Sequence, residues 1–342
     1  MKPLSVVIPS WNGVSLLRRC LPSVLSAVAQ YGGVAEVVVV DDGSADDSAS
    51  MLAAEFPTVR VVRHPVNRGF GPACKTGIEA AEHPIVVLLN SDVRVEPGFL
   101  APLAARFDHP AAFAVSPLIL DSEGDLGNVT ISVPYVRRGK IRYRSVPTGR
   151  LLEPGASQAG PWYTSFPLGG AVALDRSRFL ALGGFDPLFE PFYYEDTDLG
   201  LCAWRRGWTC EVVPDSRVFH EGGGTIGRSF ERSRVRTIQK RNRVLFHVKN
   251  LTAPWMLAAY LLQHTFRVFA GLFRLDFAQA GGAFEAVPHL GHALARRRVE
   301  RAAELRTPAE VFATISTQWD ECVARLASGD GGPAERVKSS RS

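Results

Sequence analysis

Glu36-Val37-Val38-Val39-Val40-Asp41-Asp42-Gly43-Ser44 is the stretch on which the fold turns. Four consecutive valines form an apolar β-branched run, which reads as a strand buried on both faces rather than one alternating between core and water. It stops on two acids followed by turn-forming Gly and Ser. Working outward, residues 5–8 make a second such run, and residues 15–30 place apolar side chains at helical spacing. Downstream come a helix at about 47–55, a strand at 59–63, a helix at about 71–82 and a strand at 85–89. Strands and helices in strict alternation, with continuously apolar strands, predict a mostly parallel sheet covered on both sides.

The chain has 342 residues, 46% of them hydrophobic and 21% charged, with a formal net charge of +5. That length predicts one large α/β unit or two domains, and that composition excludes a mainly disordered polymer. Five cysteines, Cys20, Cys74, Cys202, Cys210 and Cys322, form no CxxC pair. Neither a disulfide framework nor a zinc site is expected, and a reducing cytoplasm is the simplest compartment. The apolar run at the N-terminus is too short for a signal-peptide core and meets Pro9. No repeat period stands out.

Residues 121–161 differ from what precedes them, being rich in Gly, Pro and Arg, with Arg137-Arg138-Gly139-Lys140-Ile141-Arg142-Tyr143-Arg144 at their centre. A long loop or hairpin insertion is expected there. Strand and helix signals return from 169 to 219, basic and apolar helices follow from about 229, and residues 328–342 read as a frayed tail.

Ligands of open α/β sheets bind at the carboxyl ends of strands, so the polar residues that end these runs carry information. The first strand gives Pro9-Ser10-Trp11-Asn12, the second Asp41-Asp42-Gly43-Ser44, the fourth Asn90-Ser91-Asp92. Any one of these is satisfied by turn chemistry alone, whereas three on one edge point to a site. Neither GxxxxGK[ST] nor a GxGxxG after the first strand is present, which counts against P-loop hydrolases and dinucleotide oxidoreductases.

Val6-Val7-Ile8-Pro9-Ser10-Trp11-Asn12, Val39-Val40-Asp41-Asp42-Gly43-Ser44, Asn67-Arg68-Gly69-Phe70-Gly71 and Leu88-Leu89-Asn90-Ser91-Asp92 occur in that order. They are followed by Gly169-Gly170-Ala171, Gly184-Phe185-Asp186, Tyr194-Glu195-Asp196-Thr197-Asp198 and Val218-Phe219-His220. This ordered set, over about residues 4–250, resembles the successive motifs of family 2 glycosyltransferases, and within them the rhamnosyltransferase-like branch. The resemblance implies a GT-A nucleotide-sugar-binding fold, α/β with a mostly parallel central sheet flanked by helices, and sugar transfer with inversion. A helical C-terminal extension is added to it here, giving an expected division into a catalytic domain at 1–230, a basic and apolar helical extension at 231–327, and the tail.

By motif position the resemblance assigns Pro9, Asn12 and Asp41 to the donor nucleoside, with Asp42 behind or beside it, and draws Asn67, Gly69, Asn90 and Ser91 into donor binding. Asp92 would hold Mg²⁺ or Mn²⁺, hard cations that take carboxylate oxygens and leave places for phosphate oxygens. His220 would reach the metal or the diphosphate from the far side, although a lone His is usually structural. It leads into Glu221-Gly222-Gly223-Gly224-Thr225, a loop suited to closing over phosphates. One departure concerns Lys75, which stands before Thr76-Gly77 where the family often has a second Asn. A lysine there either supplies charge to the diphosphate or lies on the helix surface.

Inverting transfer needs a carboxylate to take the acceptor hydroxyl proton. The family gives that role to the Asp of the Glu-Asp pair, here Asp196, with Glu195, Gly169 and Gly170 near the acceptor. The plainer alternative is that these acids only cap a helix over 199–206. Trp162, Tyr163, Phe192 and Tyr193 could stack on sugar faces, though aromatics so spaced are more often core.

Arg232, Arg234, Arg236, Lys240, Arg241 and Arg243 lead into the apolar stretch 251–273, which Gln263, His264 and Arg267 interrupt. Charge near its centre disfavours a transmembrane span. An interfacial helix against anionic lipid, with Trp255 and Tyr260 at its polar boundary, and a buried hairpin on the catalytic domain are the two alternatives. Arg296-Arg297-Arg298 adds a further basic patch, but no nucleic-acid module accompanies it. The expected partners are a UDP- or dTDP-linked sugar and a glycan or polyprenyl-linked acceptor, met in the cytoplasm or peripherally at the inner face of the cell membrane. A sugar-nucleotide nucleotidyltransferase and a membrane-associated scaffold with a dead transferase fold are the rivals. The first lacks its Gly-rich loop, and the second predicts decay of acids that are all present.

Overall fold

The computed structural model describes residues 1–121, 123–126, 131–137, 139–146, 148–220, 230–273 and 277–328. Its valine run forms β2 (Ala35–Asp41), which pairs in parallel with β1 (Leu4–Ser10) and with β3 (Arg60–Arg63). β1 pairs in turn with β4 (Ile85–Leu89). Side chains alternate between faces with period two. Val6, Ile8, Val37, Val39, Val87 and Leu89 therefore enter one core, with Leu17, Leu21 and Val24 of α1 (Val14–Gln30) and Leu52 of α2 (Ser48–Glu55). Val7, Val38, Val40, Val86 and Leu88 enter the other, against Ala73, Cys74 and Ile78 of α3 (Phe70–Ala80). The expected alternation holds, with boundaries moved by a residue or two.

Beyond β4 the sheet becomes mixed. Its order is β3-β2-β1-β4-β10-β6-β11-β5, where β5 is Val93–Val95, β6 is Ala112–Leu120, β10 is Ala171–Asp175 and β11 is Thr209–His220. A ninth strand, β9 (Trp162–Tyr163), pairs with β11. β10 runs against β4 and β6, β5 and β9 run against β11, and the remaining strands share one direction. The register puts Ser10 beside Asp41, Ala171 beside Leu89, and His220 beside Val93. Polar residues at the ends of β1, β2, β4 and β11 and just before β10 thus reach one edge.

The insertion is a hairpin, β7 (Ser132–Arg137) against β8 (Lys140–Ser145), with Arg137 opposite Lys140. Gly139 lies at its tip at φ 70°, and a Cβ there would stand 3.0 Å from Ala259 Cβ and 3.2 Å from the Met256 carbonyl oxygen. Only glycine combines that backbone with so close an approach to the helix beyond. Arg138, residues 221–229 with the Glu221 to Thr225 loop, and 329–342 of the tail lie outside the described residues.

The C-terminal part is helical: α7 (Arg232–Asn250), α8 (Pro254–Phe273), α9 (Phe277–Ala286), α10 (Leu290–Ala302) and α11 (Pro308–Ser328), after α4 (Leu100–Ala105), α5 (Arg176–Ala181) and α6 (Glu195–Arg205). It does not stand apart. Leu245, Phe246, Ile315 and Trp319 join the same apolar cluster as Val38 and Leu88. α8 divides between the two expected alternatives: Met256, Leu257 and Tyr260 pack inward, while Trp255, Leu262, Phe266 and Phe269 are exposed. Tyr260, expected at a lipid boundary, is buried instead, because its ring stacks on His247 at 4.4 Å. Among the described residues no helix is long and apolar enough to cross a membrane.

Candidate active site

Each polar strand end is held by the next one. Asn12, at φ 49°, donates its backbone N–H to Ser44 Oγ at 2.9 Å and accepts from the Ala45 N–H through Oδ1 at 2.9 Å. Asp41 is buried, accepts from the Ser44 N–H at 3.0 Å, and has its other oxygen 3.1 Å from Arg63 Nε. Asp42 lies behind it and is fully engaged: His64 Nδ1 at 2.6 Å, and the N–H groups of Arg68 at 2.9 Å and Gly69 at 2.8 Å. Asp42 therefore shapes the segment that carries Gly69, whose φ of 94° requires glycine, and the exposed Asn67. Pro9 is buried within β1 opposite Val40. Ser91 Oγ lies 3.8 Å from where a Cβ on Gly13 would stand, so the first and fourth strand ends meet.

Gly169-Gly170 joins the two halves of the site. The Gly170 carbonyl accepts from the Asn90 N–H at 2.9 Å, and a Cβ on Gly170 would lie 3.8 Å from both Asn90 Nδ2 and His220 Cδ2. A Cβ on Gly169 would stand 3.6 Å from Asp196 Oδ2. Backbone without side chains here lets the Asn90–Asp92 corner, His220 and Asp196 share one space. Asp92 Oδ1 is 3.4 Å from His220 Nε2. Burial works to raise the Asp92 carboxyl, but His220, with Arg19 beyond, holds it below the usual carboxylate range. In return Asp92 raises the His220 imidazole against the opposing effect of burial.

A divalent ion fits this corner. One carboxylate and one imidazole converge, and Asn90 Oδ1 is buried without a hydrogen-bond partner. Among the described residues no three His, Cys, Asp or Glu side chains form a cage made of protein alone. The donor set thus suits a site whose remaining ligands are phosphate oxygens.

α6 begins at Glu195, four residues earlier than expected, so the acids lie within its first turn. Tyr193 and Tyr194 precede it at φ 71° and 81°, a left-handed pair that costs energy for such residues. Asn242 of α7 holds them in place: its Nδ2 donates toward the carbonyls of Phe189 at 2.7 Å, Phe192 at 2.9 Å and Tyr193 at 2.9 Å. Asp196 is aimed by the Thr197 N–H at 2.6 Å and Thr197 Oγ1 at 3.2 Å. Burial nevertheless raises its carboxyl above the ordinary range. Glu195 is raised too, by burial and then by the charge of Asp196. Its Oε2 is buried and unpartnered, and it borders a small hollow with Phe70, Gly71 and Phe185.

Other candidates fall elsewhere. Lys75 is exposed on α3, 3.9 Å from Glu79. Trp162 is core, packed on Trp319 at 5.1 Å with its Nε1 donating to the Ala156 carbonyl. Tyr163 packs edge-on against Trp204, and Phe192 is buried beside Phe230. Of the four aromatics only Tyr193 is exposed. Asp198 is structural: Lys249 Nζ lies 2.5 Å from it and 2.7 Å from Asp186, while Asn250 Nδ2 donates to Asp198 at 2.7 Å. Sequence reasoning missed Lys249, Asn250 and Asn242. For Lys249 and Asn250 the available signal was polar residues closing the largely apolar stretch 244–248, whereas Asn242, between Arg241 and Arg243, carried none.

Comparison with known proteins agrees with this fold. The sequence model described as Glycosyl transferase family 2 matches residues 5–157, and that described as Glycosyl transferase family group 2 matches residues 85–275. An N-acetylglucosaminyl-diphospho-decaprenol L-rhamnosyltransferase of Mycobacterium tuberculosis is 28% identical over 248 residues, covering 66% of this chain and 78% of that protein. Polypeptide N-acetylgalactosaminyltransferase 10 of Mus musculus is 30% identical over 225 residues, 63% of this chain but 37% of the relative's length. Among solved structures, GalNAc-T7 with UDP, GalNAc and Mn²⁺ superposes with a TM-score of 0.53 at 22% identity, covering 72% of this chain and 47% of that one.

Proposed function

Because this chain belongs to glycosyl transferase family 2, we propose that it transfers a sugar, with inversion, from a UDP- or dTDP-linked donor to a hydroxyl of a cell-envelope glycan or polyprenyl-linked acceptor. Rhamnose is one candidate for that sugar. The observation that carries the reading is the Gly169-Gly170 span, beside which the Asp92–His220 pair lies at one residue and the Asp196 carboxylate at the other. Asp196 takes the acceptor proton as the acceptor oxygen bonds to the anomeric carbon, and the electron pair of the breaking bond leaves with the nucleoside diphosphate. Asn12 and Asp41 receive the nucleoside, Asn90 and Ser91 the diphosphate, and Glu195 the acceptor. Mg²⁺ or Mn²⁺ held by Asp92 and His220 would supply positive charge opposite the departing diphosphate. Support comes from the UDP and Mn²⁺ of the GalNAc-T7 complex and from the diphospho-decaprenol in the name of the mycobacterial relative.

The exposed Trp255, Leu262, Phe266 and Phe269 on α8 favour a peripheral place at the inner face of the cell membrane. Replacing Phe266 and Phe269 by Ser should abolish pelleting with anionic vesicles, and unchanged pelleting would remove the membrane from the reading.

Calorimetry with UDP-, dTDP- and GDP-sugars, each with and without Mn²⁺ or Mg²⁺, tests the donor half. Metal-dependent binding of one donor is expected, and Asp92→Ala should weaken it. Asp196→Asn should lower transfer roughly 10²–10⁴-fold while sparing donor binding. Near-normal transfer by that variant would refute the base assignment.

A further inference from the structure

The hairpin insertion encloses something. Between β7–β8, the start of α6, α7 and α8 lies a cavity of about 550 Å³, lined by Lys140, Arg142, Tyr194, Thr197, Arg243 and Arg267 among others. That volume is of the size that takes a small ligand. Thr197, on its wall, is the residue that orients Asp196, so the cavity adjoins the proposed base.

Its charge is one-sided. Among the described residues no carboxylate pairs with Lys140, Arg142, Arg243 or Arg267; Arg243 reaches only the Gln279 amide oxygen, at 3.3 Å. Lys140 is buried, with its ammonium 5.7 Å from the Tyr260 ring. Burial, then Arg267, Arg243 and Arg142, pushes it down to about 8. Burial, then Arg243, Lys140 and Arg267, likewise pushes His264 down to about 4. Its buried Nε2 has no hydrogen-bond partner. Cations gathered without a counter-charge are costly, and a bound anion removes the cost. Guanidinium groups also match tetrahedral oxyanions with paired donors.

We infer that this cavity is an acceptor subsite that recognises a phosphate or diphosphate, seated among Lys140, Arg243 and Arg267, so that an attached sugar extends past Thr197 toward Asp196. The inference rests on the transfer reading above and adds the chemical class of the acceptor. Arg267 is exposed at the mouth, on the helix that also exposes Leu262, Phe266 and Phe269. An apolar chain attached to the phosphate has a surface to follow there.

The test is calorimetric titration of inorganic pyrophosphate in EDTA, so that metal-dependent donor binding does not contribute. Saturable binding is expected, weakened roughly tenfold to a hundredfold by Arg267→Ala, a change at an exposed position that leaves packing intact, and likewise by Lys140→Met. Asp92→Ala should leave it unchanged. No binding, binding indifferent to both cavity variants, or binding lost with Asp92→Ala would overturn the inference without touching the transferase reading. Failure of every nucleotide sugar to bind wild type with metal would instead overturn that reading and leave the anion site standing. Farnesyl diphosphate binding more tightly than pyrophosphate assigns the phosphate to a lipid-linked acceptor, equal binding to a soluble phosphorylated glycan. Glucuronate displacing pyrophosphate at comparable concentration would show a general carboxylate site and defeat the phosphate assignment.

Discussion

Glu195 and Asp196 share a buried corner at the start of α6, where two neighbouring carboxylates do not ionise with equal ease. The charge of Asp196 adds to burial in raising Glu195, and burial raises Asp196 as well although hydrogen bonds from Thr197 oppose it, so the two titrate as a pair above the ordinary carboxylate range. A protonated Glu195 is a hydrogen-bond donor, and its unpartnered Oε2 gives it something to do for an acceptor. Glu195→Gln, which keeps a donor, should therefore retain transfer within about tenfold, whereas Glu195→Ala loses more. As the proposed base, Asp196 has to be ionised to accept a proton, and since its carboxyl is raised, activity should fall on the acid side above the ordinary carboxylate value of about 4. A profile of transfer rate against pH for wild type and Glu195→Gln checks both points.

The elements that aim these groups are short and strained, and they depend on a helix far along the chain. Asn242 ties together the carbonyls before α6, around the left-handed Tyr193 and Tyr194. Asn242→Ala leaves those buried acceptors unpaired, with an expected loss of about 1–3 kcal/mol in chemical denaturation. It should also lower kcat while sparing donor affinity, since Asn12, Asp41 and Asp92 stand on other elements. The same dependence marks β7–β8, whose tip closes onto α8 through Gly139.

At the scale of the molecule, one core and one ion network bind the C-terminal helices to the sheet. Trp319 of α11 packs on Trp162, so Trp319→Ala should cost about 3–5 kcal/mol. A chain ended at residue 230, the expected domain boundary, would expose the shared core. Membrane binding is accordingly better tested by the α8 substitutions than by truncation. Lys249 lies between Asp186 and Asp198, all three buried. Burial opposes the Asp186 charge, but Lys249 and Arg296 hold its carboxyl down at about 2. A depressed folded value contributes stability above about 4 that is lost as pH falls toward 2. Burial raises Asp198 and works in the opposite sense. Lys249→Met leaves Asp198 without an ion partner and Asp186 with Arg296 alone, and an expected deficit of about 3–5 kcal/mol at neutral pH should narrow below about pH 5 as the acids protonate. Denaturation at several pH values reads this directly.

Much of the fold was legible because its signals are local. Apolar valine runs, helical spacing and the polar residues that end each strand are properties of neighbouring residues, and they were enough for the alternating first third, the strand-end site and the motif order of the family. The antiparallel insertion of β10 between β4 and β6 was not legible, since pairing between residues about 60 to 90 positions apart leaves no local trace. Nor was the fate of individual polar groups. Asp42, Asp186 and Asp198 look as acidic as Asp92 and Asp196 in the sequence, yet His64 and Lys249 engage the former. Which carboxylates are neutralised depends on partners brought from distant helices, and so does the gathering of Lys140, Arg243 and Arg267 around one cavity. Order along the chain determined the kind of protein; long-range packing, by deciding which charges are paired and which are left facing open space, determined where its chemistry can occur.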